Sequence, residues 1–198
     1  MPKKKIESSM LPQAIQFSKS FADPHLWVRK AEELLAAARL IEAEIQAQWA
    51  EIEVEGGRVI RTSGRINIQG PYFVLIAYAI ENLFKATLVH LNRESLRNLL
   101  LSSLPRYVSE HDLIKLAHRV AFSVSVTDED LLARLTRNSV WAGRYPVPTG
   151  PDGFRALEQY SDGRVYLTAF FAPKDIDRLH DLLNRIRSFV LAKLKDTA

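Results

Sequence analysis

The chain has no cysteine among its 198 residues, which excludes disulfides and thiolate metal sites and makes an intracellular protein the simplest expectation. It lacks a long uninterrupted apolar run. The most apolar stretch, 71 to 91, is broken by Glu81, Asn82 and Lys85. Its longest clean segment of about ten residues is shorter than the ~20 a bilayer span needs. Residues 1 to 10 are basic, but no apolar core follows them, so no signal peptide is expected. Several catalytic signatures are also missing: a Gly-rich phosphate loop, a His-Glu-x-x-His helix, a Gly-x-Ser-x-Gly elbow and an EF-hand loop. Neither a metal nor a cofactor is therefore expected, and the expected location is cytoplasmic.

What remains is ordinary for a globular domain. Apolar residues make up 47% and charged residues 25%, enough to bury one core. The net charge of +4 leans mildly toward phosphate-bearing or acidic partners.

Helical periodicity dominates the pattern. Residues 1 to 21 read as a flexible basic arm, leaving 22 to 198 as one domain. Asp23-Pro24 then opens a helix, with Asp23 as N-cap and Pro24 in the first turn. Trp27, Ala31, Leu34, Ala38, Ile41, Ile45 and Ile52 step by threes and fours, a seam broken at Gln48. Gly56-Gly57 separates two short alternating segments that suggest a small hairpin. A second helix over 71–92 is apolar nearly all round and should be surrounded by others. Ser109 and Thr127 read as caps of two further helices, and Arg93 to Ser103 as a short one. Arg164 to Phe171 suggests a short strand. Pro173 opens a last helix on Ile176, Leu179, Leu183, Ile186 and Val190. Five or six helices in one all-α antiparallel bundle is the expected architecture.

Candidate chemistry gathers in three places. Glu81 and Lys85, four apart on the core helix, are either an internal ion pair or the lining of a site. His111 and His118, seven apart, predict a basic face beside Lys115 and Arg119, solvated or contacting phosphate; a metal pair usually needs closer spacing and a carboxylate. Residues 137 to 148 put Arg137, Asn138, Trp141, Arg144 and Tyr145 into nine positions before two prolines. Trp141 and Tyr145 would either stack on a base or plug one end of the bundle.

Three segments in order resemble the HEPN superfamily of helical bundles. They are Ala-Tyr-Ala-Ile-Glu-Asn-Leu-Phe-Lys at 77–85, His-Asp-Leu-Ile-Lys-Leu at 111–116, and Arg144-Tyr145-Pro146. The resemblance spans roughly residues 24 to 195. It implies an HEPN-like homodimer with a site at the subunit interface, and a setting in defence or toxin–antitoxin systems. It also implies RNA as substrate, cleaved without metal by an Arg, a polar neighbour and a His a few residues on. Arg137-Asn138 fits the opening of that motif. The His should fall near Ala142, Gly143 or Arg144, and none is there.

Arginine stays protonated and cannot serve as a general base. The leading expectation is therefore a module that binds RNA or a nucleotide phosphate, non-catalytic or weakly catalytic. In it Arg137 and Arg144 clamp phosphate, Asn138 orients it, and Trp141 or Tyr145 stacks. One alternative is a metal-independent endoribonuclease whose proton shuttle is Tyr145 or His111. Another is a helical interaction protein that binds no nucleic acid and pairs with a nucleotidyltransferase partner, as some HEPN relatives do.

Overall fold

The computed structural model describes residues 11–55, 58–61, 64–97, 105, 107–142, 157–159, 165–167 and 171–195. Seven α-helices appear among them: α1 (Leu11–Phe21), α2 (Pro24–Ala50), α3 (Gln69–Leu91), α4 (Arg93–Arg97), α5 (Leu113–Arg119), α6 (Val126–Arg137) and α7 (Pro173–Lys195). The all-α expectation holds; the count of five or six does not. The additional helix is α1, which lies where a flexible arm was expected. Its Ser18 and Phe21 are buried, and Trp27 donates its indole N–H to the Phe21 carbonyl at 3.1 Å. The edge-on packing of the Phe21 and Trp27 rings, at 5.6 Å, explains why this segment is ordered. The rest of the expected arm, residues 1 to 10, lies outside the described residues.

Two small antiparallel hairpins complete the described structure. Strands β1 (Glu53–Glu55) and β2 (Arg58–Arg61) flank Gly56-Gly57; β4 (Val165–Leu167) falls inside the stretch read as a short strand and pairs with β3 (Leu157–Gln159), which was not expected.

Helix α3 is the axis of the bundle, packing against α2, α4, α5, α6 and α7. Its Tyr72, Phe73, Ile80, Leu83 and Phe84 are essentially inaccessible. By length and composition α3 is apolar enough to cross a membrane, although charged residues interrupt it. Of its apolar window, 78% is buried within the bundle, as in a core helix. On α2 the expected Ala31, Ala38 and Ile45 are buried, and Leu35 and Trp49 join them, because α2 faces both α3 and α7. Gln48 is the polar break in that seam. It is buried, and its amide donates to the Ile66 carbonyl at 3.0 Å and to Glu44 at 3.2 Å, which satisfies it inside the core. Every expected apolar position of α7 is buried.

The helix starts refine the sequence reading. Asp23 caps α2, accepting from the His25 N–H at 3.0 Å. Helix α5 is capped by Asp112 rather than Ser109, since Asp112 accepts from the N–H groups of Ile114 and Lys115. Helix α6 is capped by Ser125 rather than Thr127, in a reciprocal capping box with Asp128. Each true cap places the carboxylate or hydroxyl two or three residues before the amides that need an acceptor.

A buried guanidinium ties α6 to α7. Arg134 donates to Asp175 at 2.8 and 3.2 Å and to Asp130 at 2.7 and 3.1 Å. It also lies over the Phe171 ring at 4.9 Å. Asp175 in turn accepts from the Ala172 N–H at 2.9 Å, holding the first turn of α7. Burial pushes the Asp175 carboxyl up, but Arg134 and the Ala172 amide outweigh it and hold the group below the usual carboxylate range.

Candidate functional site

Two of the three sequence candidates converge on α3. Glu81 and Lys85 are buried, at 7% and 5% exposure, and the Lys85 ammonium donates to Glu81 Oε1 at 2.6 Å. Four residues apart on one helix, they meet because successive turns bring i and i+4 onto one face. Removing both charges from water is costly, and a single contact rarely repays it. Glu81 has a second partner: His111 Nδ1 lies 3.1 Å from both carboxylate oxygens.

His111 does not share a helix with His118. It stands just before Asp112, the N-cap of α5, so the expected seven-residue stripe does not form. Starting the helix later swings His111 off the α5 surface and over α3. His118 remains exposed on α5. A carboxylate only accepts, so Nδ1 faces Glu81 as the donor, and Nε2 stays outside that contact.

The Arg137-Asn138 pair lies where α6, which packs against α5, comes to its end. Helix α6 stops at Arg137 and the chain continues through a π-helical turn, Asn138–Ala142, that packs against α3. Thr136 Oγ1 accepts from the Leu113 N–H at 3.1 Å, joining the start of α5, two residues after His111, to the residue before Arg137. Asn138 is 5% exposed, yet its Oδ1 has no hydrogen-bond partner; the Arg137 Nε is likewise buried and unpartnered. Buried polar atoms normally find partners, so two orphans side by side are unusual.

Glu81, Lys85 and His111 are thus brought together; Asn138 lies on the turn packed against the same helix, and Arg137 is the last residue of α6 before it. Trp141 belongs to that turn. Arg144 and Tyr145 lie outside the described residues, so their expected clamping, stacking and proton-transfer roles have no geometry to set beside them. Sequence reasoning missed Thr136 and the π-helical turn. Nothing in Asn-Ser-Val-Trp-Ala marks a one-residue widening of the helix, though such turns recur at functional sites.

Chemically, Glu81, Lys85 and His111 offer a buried carboxylate with two nitrogen partners and an imidazole held through one nitrogen; Arg137 and Asn138 separately offer a guanidinium nitrogen and an amide oxygen that are buried without partners. Among the described residues no group of three or more histidine and carboxylate side chains is arranged to hold a metal ion. No protein-family profile, curated protein or solved structure matches the chain.

Proposed function

We propose that this protein is an HEPN-like module that binds RNA or a nucleotide phosphate as a cytoplasmic homodimer and is non-catalytic or weakly catalytic. The observation that carries the reading is the pair of buried, unpartnered atoms, Arg137 Nε at the end of α6 and Asn138 Oδ1 at the start of the turn packed against the helix that bears Glu81 and Lys85. A guanidinium clamps phosphate oxygens, and an amide orients a hydroxyl or a base edge. Arg144, seven residues beyond Arg137, adds a second cation, and Trp141 or Tyr145 a stacking surface.

The test is RNA and nucleotide binding by Arg137→Ala/Arg144→Ala. Each charge-assisted contact contributes roughly 1.5–3 kcal/mol, so affinity should fall at least about tenfold while the helical spectrum is retained. Unchanged affinity in a folded variant would remove the arginines from the site. Salt-independent or absent RNA binding by the wild-type chain would favour the interaction-protein reading, with a nucleotidyltransferase as partner. A monomer mass by light scattering would refute the homodimer.

One observation favours a second reading, the metal-independent ribonuclease. His111 is held through Nδ1 by Glu81, as an imidazole that relays a proton through Nε2 would be. Cleavage of mixed RNA without metal, abolished in His111→Ala and retained in Tyr145→Phe, would establish it. The converse pattern would assign the proton shuttle to Tyr145.

A further inference from the structure

Helices α2 and α7 run antiparallel, tied by Glu32 with Arg187 and by Glu42 with His180. Past the second tie, Gln46, Trp49 and Ala50 at the end of α2 are set against Pro173, Ile176 and Asp177 at the start of α7. Ala50 and Pro173 are both short, and a cleft of about 320 Å³ opens there. That volume falls within the roughly 300–1,000 Å³ of small-molecule pockets. The floor is Trp49 and Ile176, 8% and 3% exposed. Gln46 and Asp177 stand exposed at the rim.

Asp177 is the one charged side chain in this lining, and it has no hydrogen-bond or ion-pair partner among the described residues. The cations nearby are committed or matched. Arg178 is turned to Asp175, and His180 to Glu42. Lys174, one turn before Asp177, is offset by Asp181, one turn after it. Beyond Ala50, Glu44 and Glu51 share Arg65, two carboxylates on one guanidinium. Asp175 in the first turn of α7 offsets the positive end of that helix, while the carbonyl end of α2 adds partial negative charge. The Gln46 side chain turns its nitrogen to Glu42 at 3.5 Å, and its amide oxygen has no partner among the described residues. A carboxylate and an amide oxygen above an indole and an aliphatic side chain take an organic cation: the floor fixes the body, and the two acceptors fix the head.

We propose that this cleft binds a small organic cation: one ring or a short branched chain lying on Trp49 and Ile176, with a single ammonium head on the Asp177 carboxylate and the Gln46 amide oxygen. The assignment is independent of the site on α3.

Titration of the full chain with phenethylammonium, the neutral phenethyl alcohol and the anion phenylacetate tests it, followed by amide and indole shifts and calorimetry. The cation should saturate with a Kd of about 1 mM or tighter. It should move amides of residues 46–51 and 173–177 and, of the three indole resonances, that of Trp49. The alcohol should bind at least about fivefold more weakly, and phenylacetate more weakly still, because each loses a charge-assisted contact at a half-open rim. Asp177→Asn should weaken the cation by the same factor. Asp181→Asn removes the same charge one turn away and should change affinity by less than about twofold. Both residues are exposed, so both variants should fold normally. Absence of saturable cation binding to about 10 mM, equal binding of the alcohol, full affinity in Asp177→Asn, or an equal loss in Asp181→Asn would each overturn the proposal.

Discussion

Replacing Lys85 with methionine should distinguish a buried pair kept for chemistry from one kept for stability. In the wild type, Lys85 and Glu81 are about equally buried and 2.6 Å apart. Lys85→Met conserves most of the side-chain volume but leaves the Glu81 carboxylate with His111 alone. Breaking a buried pair by removing one partner costs about 3–5 kcal/mol. His111 is largely exposed and holds both oxygens of Glu81, so the loss should fall toward the lower end. For a chain of this size each kcal/mol shifts Tm by roughly 2–4 °C, and thermal unfolding should move down by roughly 6–12 °C. The double variant Glu81→Leu/Lys85→Met removes both charges and should recover to within about 1 kcal/mol of wild type, or exceed it, as buried pairs replaced by apolar residues often do. Denaturant unfolding monitored by circular dichroism gives the cycle, and RNA or nucleotide affinity measured on the same samples gives its functional half. A double variant that is stable yet has lost binding would show that the pair is retained for the site. A Lys85→Met variant within about 1 kcal/mol of wild type would refute the reasoning, since it would mean that Glu81 is not confined to these two partners.

Two further expectations concern pH. Asp128 and Asp175 are both held below the usual carboxylate range: burial raises each, and their arginine partners, Arg185 and Arg134, together with local amides or hydroxyls, outweigh it. Their contribution is therefore fully present above about pH 4, the ordinary carboxylate value, and is lost as pH falls through the lower folded values. Tm scanned downward from neutrality should drop along an acid limb that is shallower in Asp128→Asn; an identical limb would refute the assignment. Tyr72 behaves oppositely, because burial and then Glu42 raise its phenol above its ordinary value. Its contribution is present below about pH 10 and is lost as pH rises further. Tyr72→Phe should lose about 1 kcal/mol at neutral pH and show a flatter alkaline limb in the same scan.

Much of the fold was legible because the signals are local. Asp23-Pro24 and Pro173 mark helix starts whatever surrounds them, and the threes and fours of α7 report one buried stripe. The near-continuous apolar face of α3 required neighbours on every side, and the bundle supplies them. Where a helix begins among several polar residues was harder to read. Ser109, Asp112, Ser125 and Thr127 are all competent caps, and which amide each meets depends on how α5 and α6 dock. That choice of cap moved His111 off its helix and separated it from His118.

The sequence by itself pointed to an all-α chain whose core helix carries Glu81 and Lys85 four apart, as an internal ion pair or the lining of a site, and it singled out His111, Arg137 and Asn138 as further residues with chemistry to offer. Only the tertiary structure decided which of them meet. Glu81 and His111 are thirty positions apart, and no periodicity relates a residue on one helix to the residue before the cap of another. The packing of α1 was likewise invisible, because Phe21 is buried among Val89, Leu96 and Val108, which lie far from it in the sequence.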